Sequence, residues 1–250
     1  MRIKYLINDK YEKAKPFNEY IQKHFPQLLT EKDPELYIVA GGDGSMLHAI
    51  QDTIADGIPY LGKAMGTFNF LMNEFEDDGK IIRGLLDDKI KIDIFKTSAI
   101  GVYLDNKKIG EAVNDVILGE GVMDLFNFSI STSSGYFDEF EFKASGLCVS
   151  TPIGSTAFNY NNNGRILPLT SELLSITGIV SNRYLNDIVP FEEIRIRANS
   201  PKIYLTKVGV GELNEGSELV LKKGSTIGIA FLNKQEFLRR RIEIVHRFRK

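Results

Sequence analysis

Short apolar runs alternate with helix-compatible stretches over the first ninety residues of the chain. Residues 3–7, 36–40 and 58–62 are apolar runs of strand length, and the second run ends at Gly41-Gly42. Between the second and third runs, apolar side chains recur at helical spacing, at Met46, Leu47, Ile50 and Ile54. Strands that alternate with helices predict a parallel sheet that is covered by helices on both faces.

From about residue 90 the pattern changes to short runs that are rich in β-forming residues. These runs are residues 98–104, 110–118, 126–132, 139–142, 194–197, 202–206, 217–221 and 227–231. Residues 105–108, Asp-Asn-Lys-Lys, have the composition of a hairpin turn. The pattern predicts an α/β domain over residues 1–90 and a mainly antiparallel β domain over residues 91–250, whose C-terminal tail could pack back on the first domain.

Composition and charge narrow the class of protein. The chain has 250 residues, 43% of them hydrophobic, and a formal net charge of −2, which does not indicate a nucleic-acid-binding protein. No run approaches the roughly 20 apolar residues of a membrane span, and the N-terminus does not resemble a signal peptide. The single cysteine, Cys148, lies in an apolar run and is expected to be a buried, inert thiol. We therefore expect a cytosolic protein that binds neither membranes nor nucleic acid.

A glycine-rich turn follows the second predicted strand. Gly41, Gly42 and Gly44 surround Asp43, and a helix is expected to begin at Ser45. Such glycines let a ligand approach the backbone, and the N-terminus of the helix favours anions. The turn is not a P-loop, because no Gly-Lys-Ser/Thr follows.

An aspartate in a phosphate-binding turn suggests phosphoryl transfer. Asp43 could hold Mg²⁺, or it could accept a proton from an attacking hydroxyl group. The alternative is structural: a tight strand–helix turn in which Asp43 or Ser45 caps the helix. The turn alone does not decide between them.

Two segments together resemble the NAD kinase family. Gly-Gly-Asp-Gly-Ser at 41–45 is similar to a signature shared with diacylglycerol and sphingosine kinases and, more distantly, phosphofructokinases. Residues 150–159, Ser-Thr-Pro-Ile-Gly-Ser-Thr-Ala-Phe-Asn, match the NAD kinase signature at eight of ten positions. Residues 112–116 and 66–72 resemble two further segments of that family. The resemblance covers roughly residues 36–168.

This resemblance implies a fold and an activity. NAD kinases combine a Rossmann-like α/β domain with a β-sandwich-like domain, and they phosphorylate the adenosine ribose 2′-hydroxyl of NAD with ATP or polyphosphate and a divalent metal such as Mg²⁺. Asp43 would be the catalytic residue, with no metal ligand assigned in the protein. The ligand-binding residues would be Gly41, Gly42, Gly44, Ser45, Leu47, Phe70, Asn114, Asp115, Ser145, Thr156, Ala157 and Phe158. A homodimer or homotetramer is expected.

Several residues depart from the family pattern, all outside the glycine turn. Asp115 replaces a glutamate, Phe158 a tyrosine and Ile153 a hydroxyl residue. Ser145 replaces an aspartate near the nicotinamide end. In the 66–72 segment, Asn69 replaces a glycine, and Ala64 replaces an asparagine just before it. The choice between NAD and NADH therefore stays open, as does the phosphoryl donor.

Two alternatives belong to other classes. A lipid kinase of the diacylglycerol or sphingosine type would share the glycine turn and the two-domain plan, and it would bind liposomes. A non-catalytic dinucleotide sensor would explain the altered recognition residues, although it would have no need of Asp43.

Overall fold

The chain folds into two compact units. The computed structural model describes residues 1–121, 124–206, 208–235 and Leu238. Residues 1–96 and the segment that begins at Ile227 form the first unit, and residues 97–226 form the second. The basic cluster between Arg239 and Lys250, and with it the expected return of the C-terminal tail, lies outside the described residues. The domain boundary expected near residue 90 stays a prediction.

The described residues contain four α-helices and fifteen strands. The helices are α1 (Lys15–His24), α2 (Asp43–Thr53), α3 (Asp78–Leu86) and the short α4 (Phe158–Asn161). Short 3₁₀ turns cover Glu12–Ala14, Pro26–Leu29, Ile54–Asp56 and Gly154–Thr156. The strands are β1 (Ile3–Leu6), β2 (Leu36–Gly41), β3 (Tyr60–Ala64), β4 (Met72–Asn73), β5 (Asp93–Leu104), β6 (Lys107–Ala112), β7 (Asp115–Gly119), β8 (Phe126–Thr132), β9 (Phe140–Ser150), β10 (Leu173–Ser181), β11 (Asn186–Pro190), β12 (Ile194–Ala198), β13 (Lys202–Leu205), β14 (Val208–Glu212) and β15 (Leu219–Phe231).

The first unit is built on parallel strands. β1 pairs with β2, β2 with β3, and β3 with β4, all in parallel. Ile229 of β15 also pairs in parallel with Tyr60 of β3. All six residues of β2 are buried, as expected for a strand inside a parallel sheet. Leu6 lies opposite Val39, so the ends of β1 and β2 meet at one edge.

Helices α1 and α3 bury one face each in the core of the first unit. Phe17 and Ile21 of α1 and Ile82 and Leu85 of α3 belong to the same apolar cluster as the parallel strands. Asp77 caps α3, and its side chain accepts a hydrogen bond from the Lys80 amide at 2.9 Å. This core supports the edge of the sheet at which the glycine turn begins.

The second unit is antiparallel. Its strands run in the order β12, β8, β9, β7, β13 and β14, while β10 pairs with both β9 and β11. A hairpin turn joins β5 and β6 within the predicted residues 105–108, but it is shorter than predicted: only Asp105 and Asn106, with φ of 48° and 66°, lie between the strands. A separate apolar cluster, which includes Ile130, Leu147 and Ile176, fills this unit. The predicted fold class, a parallel α/β region followed by a mainly antiparallel region, is confirmed.

Two strand predictions were wrong. Residues 110–118 do not form one strand, because the chain leaves β6 at Ala112 and β7 begins at Asp115. The carbonyl groups of Val113 and Asn114 instead bind Thr151, as described below. Residues 219–221 and 227–231, predicted in two separate runs, belong to a single long strand, β15, whose middle residues are polar or glycine. In the part of the chain that the structure describes, no helix is both long enough and apolar enough to span a bilayer.

Candidate active site

The glycine turn in the first unit has the backbone geometry that its sequence requires. Gly41 has φ of +150°, and a Cβ atom there would lie 2.2 Å from the Ser45 hydroxyl oxygen. Gly42 is the N-cap of α2, and its carbonyl accepts from the amides of Ser45 and Met46 at 3.0 and 3.1 Å. No atom within 4 Å would meet a Cβ atom at Gly44, which is exposed. There is therefore no space for a side chain at Gly41, whereas Gly44 faces open space.

Asp43 is the first residue of α2, and backbone amides hold its carboxylate. Its Oδ2 atom accepts from the amide of Phe70 at 3.0 Å, and Oδ1 accepts from the amide of Leu71 at 2.8 Å. The side chain is half-buried. Hydrogen bonds to a charged acceptor are stronger than neutral ones, so the carboxylate has a defined orientation.

A cavity of ≈ 1080 Å³ opens over this turn, at the ends of β1 and β2. Gly42, Asp43, Gly44 and Ser45 line it, as do the residues that follow β1. Asn8, which follows the first predicted strand, donates from Nδ2 to the Ser45 hydroxyl at 3.0 Å. The sequence analysis missed Asn8, although neighbouring parallel strands end at the same edge and thus bring such residues together.

Charged and aromatic side chains lie at and near the cavity. Lys63 lies beside the turn in sequence, but its ammonium group pairs with Asp78 and lies 4.9 Å from the centre of the Phe17 ring. Lys4 and Lys10 line the cavity instead. Phe68, which is 45% exposed, also lines it. Neither Leu47 nor Phe70 is among the described lining residues.

Phe70 and Leu47 occupy supporting positions. The Phe70 ring is nearly parallel to that of Phe68, with 6.3 Å between the ring centres. Both Phe70 and Leu47 are half-buried, and the buried residues of α2 are Met46 and Ile50. The amide of Phe70, rather than its ring, makes the described contact with Asp43.

In the second unit, the two remaining signature segments lie in direct contact. The Thr151 amide donates to the Asn114 carbonyl at 2.8 Å, and its hydroxyl donates to the Val113 carbonyl at 2.7 Å. A Cβ atom at Gly154 would lie only 2.1 Å from the Asn114 carbonyl oxygen. We call residues 113–115 and 150–159 together the signature corner. Its glycine is required because one backbone segment packs on another.

Most polar side chains of the signature corner serve the protein itself. The Ser155 hydroxyl donates to the Pro152 carbonyl at 2.9 Å and accepts from the Leu167 amide at 3.0 Å. Asn159 Nδ2 donates to the Arg165 carbonyl at 2.9 Å, and Asn159 Oδ1 accepts from Ser175 at 3.1 Å. The hydroxyl groups of Thr151 and Ser155 therefore bind backbone groups of the protein. They position the backbone.

Asn114 is the exception within the signature corner. Its side chain is 6% exposed, yet Oδ1 has no hydrogen-bond partner among the described residues. A buried amide oxygen without a donor is costly, which suggests that a ligand supplies the donor. Asp115 is also buried, at the start of β7, and its backbone carbonyl accepts from the Thr206 amide at 3.1 Å.

The other expected binding residues have different exposures. Ser145 is buried within β9, while Thr156 and Ala157 are half-buried. Ala157 precedes α4 with φ −104° and ψ −121°, outside the common regions for an alanine. Phe158 is 40% exposed. Backbone in a sparsely populated conformation is more frequent at functional sites than elsewhere.

Burial also governs the electrostatics of the signature corner. Burial raises the pKa of the Cys148 thiol, and the negative charge of Asp115 raises it further, while a hydrogen bond with Thr177 opposes both effects. The thiol is buried, as expected, and its raised pKa favours the protonated, less nucleophilic form. The described residues contain no group of three histidine, cysteine, aspartate or glutamate side chains that could hold a metal ion.

Curated proteins of related sequence are NAD kinases. The chain is 32% identical to the NAD kinase of Rickettsia typhi over 180 residues, which cover 71% of this chain and 69% of that protein. It is 31% identical to the enzyme of Hyphomonas neptunium over 65% of each protein. The match to the enzyme of Lachnospira eligens, at 30% identity, covers 67% of this chain and 58% of that protein. No family model matches the chain.

Solved structures of similar fold carry related names. The yeast NADH kinase in complex with NADH has a TM-score of 0.79 at 18% identity, and the match covers 98% of this chain and 88% of that one. An NAD kinase from Archaeoglobus fulgidus in complex with ATP has a TM-score of 0.69 at 15% identity, with coverage of 98% and 97%. At these identities the comparison concerns the fold.

Proposed function

The chain belongs to the NAD kinase family, and on this premise we propose that it transfers a phosphoryl group to the adenosine ribose 2′-hydroxyl of NAD, with Asp43 as the catalytic residue. Its relatives are phosphotransferases that act on NAD. Family membership decides against the lipid-kinase alternative. The observation that best supports the role of Asp43 is its carboxylate, which two backbone amides orient beside a cavity bordered by glycines.

The proposed step requires one acceptor for a proton and one site for phosphate. The 2′-hydroxyl oxygen forms a bond to the terminal phosphorus, the bond to the leaving phosphate oxygen breaks, and ADP departs. Asp43, whose carboxylate the amides of Phe70 and Leu71 orient, positions the hydroxyl group and accepts its proton. The exposed Gly44 backbone and the start of α2 receive the phosphates.

Positive charge and metal would enter with the donor. Lys4 and Lys10 line the cavity and would face a triphosphate. Because the described residues offer no cluster of metal ligands, they fit Mg²⁺ only as an ion held mainly by phosphate oxygens. Such an ion would offset the negative charge of the donor. ATP is the donor we propose, with polyphosphate as the alternative to test.

The signature corner would recognise the dinucleotide. Asn114 Oδ1 would accept a hydrogen bond from the adenine amino group, since it has no donor in the described structure. Asp115 would accept from a ribose hydroxyl. Thr156, Ala157 and Phe158 would line the same pocket, and Ser145 would lie toward the nicotinamide. Ser145 and Phe158 are the positions at which a preference between NAD and NADH would arise.

The test is an assay for NADP with a matched pair of variants. Purified protein is incubated with NAD, Mg²⁺ and either ATP or polyphosphate, and NADP is measured with an NADP-specific dehydrogenase. Asp43→Asn should lower kcat by about 10²–10⁴-fold. Asp33→Asn, an exposed aspartate of the same unit, should leave kcat unchanged.

Either of two results would remove the proposal. Equal activity of Asp43→Asn and wild type would exclude the catalytic role of Asp43. Absence of NADP with both donors and with NADH as acceptor would exclude the kinase, and dinucleotide binding without turnover would then indicate the sensor.

We propose a cytosolic homodimer or homotetramer, which agrees with the single buried cysteine. Light scattering on the purified protein would measure its mass, and a monomer would contradict this proposal.

A further inference from the structure

The loop between Met65 and Leu71 is tied to the glycine turn at several points. The Met65 amide donates to the Gly41 carbonyl at 2.7 Å. A Cβ atom at Gly66 would lie 3.0 Å from the Gly42 Cα atom, so the two backbones are in contact. The amides of Phe70 and Leu71 then bind the Asp43 carboxylate. The orientation of Asp43 thus depends on the shape of this loop.

Asn69 determines that shape through its backbone and its side chain. Its φ of +56° lies in the left-handed region, which asparagine tolerates better than most residues. Its Oδ1 atom accepts from the Gly66 amide at 3.1 Å, and its Nδ2 atom donates to the Gly66 carbonyl at 2.8 Å. The side chain is buried. Both polar groups of the side chain therefore close the turn between residues 66 and 69.

A glycine at this position would permit the same backbone angle but could not make these two bonds. The amides that hold Asp43 belong to the two residues that directly follow Asn69. A loop that opens at Gly66 would shift these donors and release the carboxylate. Small displacements of a catalytic group have large effects on rate.

We propose that Asn69 is a positioning residue, whose side chain closes the loop so that the amides of Phe70 and Leu71 fix the Asp43 carboxylate. The proposal rests on the proposed role of Asp43. Asn69 lines the cavity next to Phe68, but both polar groups of its side chain bind Gly66, so it acts through the loop. It substitutes a side-chain clamp for the conformational freedom that glycine provides.

The experiment compares Asn69→Gly with Asn106→Gly. Both positions have positive φ, and Asn106 lies in the exposed β5–β6 turn of the other unit. Asn69→Gly should lower kcat on the order of tenfold, while the KM values for NAD and ATP change less than about twofold. Amide hydrogen exchange of Phe70 and Leu71 should become faster, because a loop that opens at Gly66 shifts these amides away from the Asp43 carboxylate. Asn106→Gly should change neither quantity.

A further variant separates the clamp from the backbone angle. Asn69→Ala loses the clamp and also disfavours positive φ, so its kcat should fall below that of Asn69→Gly. Thermal unfolding of each variant shows whether the fold is retained.

Three results would overturn the proposal: wild-type kcat in Asn69→Gly, unchanged exchange at Phe70 and Leu71, or an equal loss of kcat in Asn106→Gly. Exchange needs no turnover and reports on the loop even if the wild type makes no NADP. In that case the kinase proposal would fail, while faster exchange in Asn69→Gly would still support the clamp and unchanged exchange would still reject it.

Discussion

The candidate site residues of the two units are held in place by different groups: backbone groups in the first unit and side chains in the second. In the glycine turn of the first unit, the backbone provides the contacts: Asp43 is held by amides, and Gly44 faces open space. In the signature corner of the second unit, side chains provide them. Thr151, Ser155 and Asn159 are fully buried and hydrogen-bonded to neighbouring segments.

Because of this difference, substitutions in the two regions should have different effects on turnover and on the free energy of unfolding. A change in the open turn removes a group that meets ligand, and the fold has little to lose. A change in the signature corner leaves buried partners without hydrogen bonds, which costs about 1–3 kcal/mol for each group left unsatisfied. Substitutions in the first region should therefore affect turnover, and those in the second should affect unfolding first.

The largest expected difference in stability is between two glycine-to-alanine variants, one in each region. In Gly154→Ala the new Cβ atom would lie 2.1 Å from the Asn114 carbonyl oxygen, so backbone must move, and we expect a loss of about 3 kcal/mol in the free energy of unfolding. Gly44→Ala meets nothing within 4 Å and should change this free energy by less than about 1 kcal/mol. Urea unfolding of both variants measures the contrast.

An activity assay of Gly154→Ala and Gly44→Ala adds a second test of the same contrast. Because Gly44 lies where we place the phosphates, Gly44→Ala should keep its stability and lose turnover. If instead Gly44→Ala were the less stable of the two, the contrast between an open turn and a packed corner would be wrong.

A second prediction concerns the buried amide of Asn159. Asn159→Ala leaves the Arg165 carbonyl and the hydroxyl groups of Ser175 and Thr177 without their partner. We expect the free energy of unfolding to fall by about 2–3 kcal/mol. Asn161→Ala, an exposed position in the same short helix, should stay within about 0.5 kcal/mol of wild type. Similar values for the two variants would show that this network does not stabilise the unit.

The third prediction concerns Asn114. Unlike most polar side chains of the signature corner, its Oδ1 atom has no hydrogen-bond partner among the described residues. Because Asn114 Oδ1 has no donor among the described residues, Asn114→Ala should cost little stability. It should raise the KM for NAD about three- to tenfold, the value of one neutral hydrogen bond. Asn186→Ala is the matched control, since its Oδ1 atom also lacks a described partner but lies outside the signature corner. An unchanged KM in Asn114→Ala would argue against contact with adenine.

The sequence predicted the glycine turn well because its signals are local. Buried β2, the turn and α2 follow one another within 18 residues, from Leu36 to Thr53, and apolar spacing reveals each of them. What it could not show is that the amides of Phe70 and Leu71 reach back to Asp43. That contact depends on the path of a distant loop, which no local pattern encodes.

Prediction was weaker in the signature corner for a different reason. Composition shows that Thr151 and Ser155 carry hydroxyl groups, but it does not show whether these face a ligand or a carbonyl group. The sequence analysis missed the strand break after Ala112. Residues 110–118 contain enough apolar residues to resemble one continuous strand. At the break, the carbonyl groups of Val113 and Asn114 accept hydrogen bonds from Thr151.

The smallest expected effect tests whether burial, rather than membership of the second unit, makes a polar group stabilising. Glu193 lies in the second unit, and its side chain is 27% exposed and paired with Lys222 at 3.0 Å and with Arg195. The hydrogen bond from Lys222 lowers the pKa of the Glu193 carboxyl, desolvation opposes the shift, and Arg195 adds to it. A lowered pKa stabilises the fold above the ordinary value of 4.5, and this contribution is lost as the pH falls through the folded-state pKa.

We therefore expect Glu193→Gln to lower the free energy of unfolding by at most about 1 kcal/mol at pH 7. The difference from wild type should shrink below pH 4.5, the ordinary value of the carboxyl, and also at high salt. Glu215→Gln, at an exposed position of the same unit, serves as the control and should have no measurable effect. Urea unfolding at several pH values measures the difference. A loss for Glu193→Gln as large as that for Asn159→Ala would mean that a partly exposed ion pair stabilises this unit as much as its buried network does. Burial would then not explain which polar groups stabilise the unit.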